Sequence, residues 1–261
     1  MTLEIRDIWK SFRHKGSVQP VLRGINLTVE RGEFVSLIGH SGCGKSTLLS
    51  IVGGLLDADR GSVTLDGETI TGAGPDRAMV FQNYSLLPRL SLEKNVDVAV
   101  ASARPEHSRS ERDDLVHRYL TAVGLWEHRQ KRPHQVSGGM QQRCAVARAF
   151  AVEPRVLLLD EPFGALDALT RARLQAQLIE LWQSESETEI VLMVTHGIDE
   201  AVLLSDRIVA MSNPPQPSML DVIEVDIPRP RDRVSVLESP MSRDVQARLM
   251  ALLSIDGERA A

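Results

Sequence analysis

The stretch Gly39-His40-Ser41-Gly42-Cys43-Gly44-Lys45-Ser46-Thr47 decides how the rest of the chain is read. It fits G-x-x-x-x-G-K-S/T, a loop whose glycines let the backbone wrap closely around an anion with successive N–H groups pointing inward. It follows Phe34-Val35-Ser36-Leu37-Ile38, a short apolar run that reads as a strand buried on both faces of a parallel sheet. A helical pattern from Lys45 to Leu56 comes next. Strand, glycine loop and helix start, in that order, build a phosphate site to which the helix adds its positive end. Lys45 then reaches the β- and γ-phosphates of a nucleotide, and the Ser46 hydroxyl is placed to ligate Mg²⁺.

Working outward, Val156-Leu157-Leu158-Leu159 is a second buried strand, and it delivers Asp160-Glu161-Pro162 at its C-terminal end. Ligands of open α/β sheets bind at that end. Asp160 is the expected Mg²⁺ carboxylate, and Glu161 the expected general base for a water attacking the γ-phosphate. The chain contains no N-K-x-D guanine motif, so a small-GTPase reading fails.

Composition narrows the class without naming it. The chain has 261 residues, 43% hydrophobic and 25% charged, ordinary values for a folded protein with a sizeable core. Thirty Lys and Arg against 35 Asp and Glu give a net charge of −5, so no basic field exists to hold nucleic acid. Two cysteines, Cys43 and Cys144, exclude a disulfide scaffold and fit a reducing compartment. Cys43, beside Lys45 and a helix start, is either a reactive thiol or a small residue filling the loop; Cys144 is expected in the core. The opening MTLEIRDIWK has no apolar run, so a signal peptide is not expected, and the longest apolar runs are too short to span a bilayer.

The element pattern is α/β with an insertion. Leu3–Trp9 and Ile25–Val29 are expected to pair around a polar loop from Arg13 to Pro20, and Gly61–Ile70 to pair around Asp66-Gly67. Leu86 to Val152 reads as several helices, one over Ser110–Val123, with Arg104 to Asp114 as a charged connection. Val156–Leu159, Ile190–Val194 and Arg207–Met211 are expected strands, and Thr170–Trp182 an expected helix. From Asn213 the tail, with Pro214, Pro215, Pro217, Pro228 and Pro230, is expected to be irregular until a helix near Ser242–Leu253.

Val136-Ser137-Gly138-Gly139-Met140-Gln141-Gln142-Arg143 resembles the LSGGQ signature of ABC-type ATPases, with Val for Leu and Met140 for the usual Gln. Ser137 and two glycines opening a helix make a second anion site. Further matches stand in the family's order. Gln82, in Phe81-Gln82-Asn83, resembles the Q-loop glutamine, which contacts Mg²⁺ or the attacking water. Ala165-Leu166-Asp167 resembles the D-loop. His196, after Val194-Thr195, resembles the switch histidine, and Phe12 resembles the aromatic that stacks on adenine, with Trp9 as its rival.

The resemblance implies an α/β P-loop NTPase fold of ABC ATPase type: a mixed RecA-like sheet core, an antiparallel β subdomain and an inserted helical subdomain. It implies a cassette over 1–230, with core at 1–85 and 154–230, the helical subdomain at 86–153, and a short extension at 231–261. It implies ATP and Mg²⁺ as ligands: Phe12 and Gly39 through Thr47 on ATP; Ser46, Gln82 and Asp160 on the metal; Glu161, His196 and Gln82 in catalysis. Ser137, Gly138, Gly139 and Met140 are implied to reach ATP held by a second cassette, so a homodimer or heterodimer is expected. The implied partners are transmembrane permease subunits and, through them, a solute-binding protein, with this chain peripheral on the cytoplasmic face of a bacterial plasma membrane.

Leu86-Leu87-Pro88 resembles importer cassettes, although Arg89 stands where many have Trp. Pro133–Met140, Phe163–Arg171 and Asp199–Arg207 resemble the nitrate/sulfonate/taurine group. Gly39–Cys43 and the stretch from Met211 through Ile227-Pro228-Arg229-Pro230-Arg231-Asp232 point within it to nitrate. Cyanate or bicarbonate come next, then alkanesulfonate or taurine, with an exporter or non-transport ATPase as the remote reading. The chain end leaves no expected room for a regulatory or fused solute-binding domain.

Overall fold

The computed structural model describes residues 1–14, 16–183, 187–213 and 218–260. The chain forms two compact units, Met1–Ala73 with Ile190–Ala261, and Gly74–Glu189. The first unit begins with β1 (Thr2–His14), β2 (Ser17–Glu30), β3 (Phe34–Gly39), α1 (Lys45–Val52), β4 (Arg60–Leu65) and β5 (Glu68–Thr69). The second contains β6 (Arg77–Val80), α2 (Leu92–Ala103), α3 (Arg109–Ala122), α4 (Gly138–Ala151), β7 (Val156–Asp160) and α5 (Ala168–Gln183). The chain returns to the first unit with β8 (Ile190–Thr195), α6 (Ile198–Leu204), β9 (Arg207–Met211), β10 (Met219–Glu224), α7 (Arg233–Glu238) and α8 (Pro240–Ala260).

In the first unit β2, β1, β4 and β5 form an antiparallel sheet in that order. Separately, β3 lies between β8 and β9, parallel to both, and β10 pairs antiparallel with β9. Every residue of β3 and β8 is buried, which is why both read as unbroken apolar runs rather than alternating ones. A core of Ile38, Ala201, Val202, Ile208, Ala210, Ile223 and Val225 is completed by Val236, Val245 and Leu249 of α7 and α8. Arg231 ties the segment before α7 to this core. Its guanidinium donates to the carbonyls of Ile227 (2.8 Å), Ser205 (2.6 Å) and Val225 (3.1 Å), and burial lowers its pKa to about 10.

In the second unit β6 and β7 pair in parallel, and α2, α3 and α4 pack on one another. Their shared core includes Leu92, Val96, Val116, Leu120, Val146 and Phe150. Each helix starts on a serine: Ser91 accepts from Lys94 N, Ser108 forms a capping box with Glu111, and Ser137 accepts from Met140 N. Cys144 is fully buried, and desolvation pushes its thiol up to about 12, as a core residue should behave.

Several element boundaries differ from those expected. The polar stretch Arg13–Pro20 is largely paired strand: Phe12 faces Gln19, Arg13 faces Val18 and His14 faces Ser17. A solvated hairpin extension needs no apolar face, and Pro20 is tolerated because β2 is an edge strand. Helix α1 stops at Val52, before Leu56, because Gly53 caps it and Gly54 turns left-handed at φ 69°. Helix α3 begins at Arg109, so the second part of the charged connection, Arg109 to Asp114, is helical, drawn in by the Ser108 cap. The tail after Asn213 contains strand β10 and two helices. Its largely apolar Met219-Leu220-Asp221-Val222-Ile223 finds an edge on β9. Pro214, Pro215 and Pro217 lie outside the described residues.

Candidate functional site

The expected site residues are divided between the two units. In the first unit β3 ends at Gly39 and α1 starts at Lys45, so residues 39–47 form the loop between them. Gly39 sits where a Cβ would stand 2.4 Å from the Met211 carbonyl oxygen, so only glycine passes. Gly42 and Gly44 are left-handed, at φ 87° and 96°. The Lys45 ammonium, on a side chain that is almost fully buried, donates to the carbonyls of Gly39 (2.8 Å) and His40 (2.9 Å). Ser41 and Ser46 are exposed and Thr47 is half-buried. Cys43 is fully buried, with its Sγ 3.6 Å from the Lys45 Nζ and within 2.9 Å of where a Gly39 Cβ would be. That placement favours the loop-filling role over a reactive surface thiol.

His196 follows β8 on the surface, at the start of α6. Beside it Thr195 is bonded to the Glu200 carboxylate, and its hydroxyl accepts from the Gly197 N–H at 3.0 Å. Phe12 and Trp9 are both part-exposed on β1, but their surroundings differ. Trp9 donates its ring N–H to Asp7 Oδ1 at 2.6 Å and lies against Gly24. Phe12 has the Lys10 ammonium 5.6 Å from its ring centroid.

In the second unit Asp160 ends β7 and Glu161 follows it with left-handed backbone, φ 47°. Such a conformation in a non-glycine residue is strained, and strain of this kind collects at functional sites. The Gln82 amide donates from Nε2 to Glu161 Oε2 at 2.9 Å, so the structure brings these two expected residues together. Ser137 caps α4, whose first residues are Gly138 and Gly139 and then Met140. A Cβ on Gly139 would stand 2.7 Å from Thr170 Cγ2, which holds the start of α4 close against α5. Asp167 accepts from the N–H groups of Leu169 (3.1 Å) and Thr170 (3.0 Å), capping α5. Hydrogen bonding from Thr170, then from the Leu169 amide, lowers the Asp167 carboxyl pKa from its ordinary value.

Three features were not legible beforehand. His40 meets the Leu253 carbonyl of α8 at 2.8 Å. Tyr84 and Ser85, just after Gln82, are left-handed at φ 56° and 49°. Arg148 of α4 bonds both of their carbonyls. None leaves a local signal, because each depends on a partner distant in sequence. Among the described residues no group of three or more His, Cys, Asp or Glu could hold a metal alone, and no helix is long and apolar enough to cross a membrane.

The chain is 49% identical over 245 residues to the nitrate import ATP-binding protein NrtD of Synechococcus elongatus, covering 94% of this chain and 88% of that protein. It is 51% identical over 233 residues to the bicarbonate transport ATP-binding protein CmpC of a Synechocystis species. That match covers 89% of this chain but spans only 35% of CmpC. Among solved structures, a dimeric ATP-binding cassette in a post-hydrolysis state with ADP and Pi superposes with a TM-score of 0.77 at 29% identity. The superposition covers 86% of this chain and 99% of that one. The model of the ABC transporter family matches residues 22–164. On fold, glycine loop and relatives alike, this chain belongs to the ABC transporter family.

Proposed function

We propose that this chain is the ATP-hydrolysing subunit of an importer for a small oxyanion, nitrate first. The observation that supports the hydrolytic part is the Gln82–Glu161 hydrogen bond, which holds a carboxylate on strained backbone within the second unit; the glycine cradle around Lys45, within the first unit, supports the binding of nucleotide. Gly39–Thr47 would wrap the phosphates of ATP, with Lys45 exchanging the carbonyls of Gly39 and His40 for phosphate oxygens. Phe12 is the better candidate for the adenine ring, since Trp9 is already fixed on Asp7 and Gly24.

The donor set suits Mg²⁺. Ser46, Asp160 and Gln82 offer hard oxygen atoms, and a single carboxylate is what a magnesium–nucleotide site uses in place of an all-protein cage. Bound Mg²⁺ would neutralise charge on the phosphate oxygens. Glu161 would take the proton of the attacking water, Gln82 would orient it, and His196 would contact the γ-phosphate. Ser137, Gly138, Gly139 and Met140 would complete the nucleotide site of a second cassette, with Asp167 at the same junction. Two such head-to-tail sites close under two-fold symmetry. ATP would then favour the closed pair and hydrolysis would reopen it, which is how a ligand with different affinity for two states drives a cycle.

The solute reading rests on the nitrate relative, which this chain matches along nearly the whole length of both proteins. Bicarbonate is the second reading, because CmpC matches at similar identity. Separate permease subunits would cross the membrane and receive solute from a binding protein, with this chain docked peripherally. The test is reconstitution with those subunits in liposomes, followed by ATPase measured with each anion and its binding protein. Stimulation by nitrate is expected. Stimulation by bicarbonate alone would favour the second reading, and stimulation by an alkanesulfonate alone would overturn both.

A further inference from the structure

The loop after Gln82 is held in a conformation that its own residues disfavour. Tyr84 and Ser85 are both left-handed, a region non-glycine residues enter only when their surroundings compel them. The compelling group is on α4. Arg148, half-buried in the last turn of that helix, donates from Nη1 to the Ser85 carbonyl at 2.7 Å and from Nη2 to the Tyr84 carbonyl at 3.2 Å. A planar guanidinium can bridge two adjacent acceptors in a fixed geometry, and a lysine ammonium cannot reproduce that fork.

At the other end of α4, the Tyr84 hydroxyl lies over Gly138, where a Cβ would be 3.1 Å away. The loop therefore touches α4 at its first turn through a side chain and at its last turn through two carbonyls. The Tyr84 N–H closes back on the Phe81 carbonyl at 3.1 Å, bracketing Gln82, whose amide reaches Glu161. A continuous set of contacts thus runs from α4 through Arg148 and the Tyr84–Ser85 carbonyls to Gln82 and the Glu161 carboxylate, all within one compact unit.

We propose that Arg148 and Tyr84 are positioning residues that set Gln82, and through it the Glu161 carboxylate, in register with α4. The inference rests on the reading of Gln82 and Glu161 as the pair that handles the attacking water. Arg148 and Tyr84 act on the reaction only through them. Arg104 supplies a matched contrast: it clamps the carbonyls of Val152 (3.2 Å) and Glu153 (2.8 Å), the latter also left-handed at φ 52°, and among the described residues it makes no hydrogen bond to the Gln82 loop.

The experiment compares Arg148→Lys, Tyr84→Ala and Arg104→Lys in the transporter assembled with its membrane subunits. Steady-state kcat and KM for ATP are read beside Tm. Arg148→Lys should lower kcat roughly ten-fold, in the range expected when a catalytic group is misplaced, with KM within about two-fold. Tyr84→Ala should show the same split more weakly, which keeps the test open if Arg148→Lys does not accumulate. Arg104→Lys should lower Tm without changing kcat. Adding Ser85→Gly to Arg148→Lys should restore part of the lost kcat, because glycine holds left-handed backbone without a clamp.

Wild-type kcat in both Arg148→Lys and Tyr84→Ala overturns the proposal, as does an equal loss of kcat in Arg104→Lys. Glu161→Gln separates the two levels. If it hydrolyses ATP normally, the reading of the Gln82–Glu161 pair fails and the positioning role falls with it. If it is inactive while Arg148→Lys and Tyr84→Ala behave as wild type, only the positioning role fails.

Discussion

Gly42 and Gly44 hold left-handed backbone in the glycine loop Gly39–Thr47 with no side chain to resist it, whereas Tyr84 and Ser85 hold it in the Gln82 loop against their own preference. The first arrangement is local, since the missing Cβ at Gly42 and Gly44 makes the turn accessible and lets the main chain approach an anion. The second is tertiary, imposed by two hydrogen bonds from Arg148, a residue 63 positions further along than Ser85. The difference explains why one loop announces itself as a motif and the other does not.

The largest expected effect comes from breaking the local arrangement. An alanine at Gly44 would place its Cβ 2.6 Å from Leu22 Cδ2 at a φ of 96°. The left-handed strain costs about 1–2 kcal/mol and the overpacking about 1–3 kcal/mol. Gly44→Ala should therefore destabilise by about 2–5 kcal/mol in denaturant titration and weaken binding of a fluorescent ATP analogue more than ten-fold. Wild-type affinity in that variant would show that the loop does not need its glycine.

Placing glycine in the clamped loop should do the reverse. Ser85→Gly relieves about 1–2 kcal/mol of backbone strain and loses about 0.5–1 kcal/mol to greater freedom of the unfolded chain. A net gain of roughly 0.5 kcal/mol is expected in stability, with hydrolysis retained because Arg148 still bonds both carbonyls. A clear loss of stability would mean that Ser85 contributes through its side chain and not only its backbone.

The smallest effect concerns Asp167, which caps α5 by accepting from Leu169 and Thr170. Those bonds lower its pKa in the folded state, so its contribution is present above the unfolded carboxyl value of about 3.9 and is lost as pH falls through the folded value. The Tm difference between wild type and Asp167→Asn should be largest at neutral pH and vanish in acid. A difference that grows as pH falls would reverse the sign and remove the carboxylate from the capping role.

Much of the first unit was legible because its signals are local. The runs Phe34–Ile38, Ile190–Val194 and Arg207–Met211 are apolar on both faces and became buried strands, and Asp66-Gly67 became a hairpin turn with φ 52° and 83°. The glycine loop Gly39–Thr47 belongs to this class. What stayed hidden depends on partners far away in sequence. Strand β10 needs the edge of β9 to form, and Arg13–His14 and Ser17–Pro20 become strand only because the two arms of the hairpin pair beyond their apolar segments. In the candidate site, Asp160 and Glu161 could be named from the apolar strand that delivers them, and Gln82 and Ser137 from their resemblance to the family's motifs, but not the left-handed backbone of Glu161, nor the Arg148 clamp. Positive φ in a non-glycine residue is a property of the folded surroundings, and a sequence read residue by residue does not carry it.

Phosphate release by Glu161→Gln tests the hydrolytic assignment most directly. The variant should bind ATP with near wild-type affinity, accumulate as a closed dimer, and release phosphate at least about a hundred-fold more slowly, as expected when a general base is removed. Near-normal phosphate release from a folded, ATP-binding Glu161→Gln protein would contradict it.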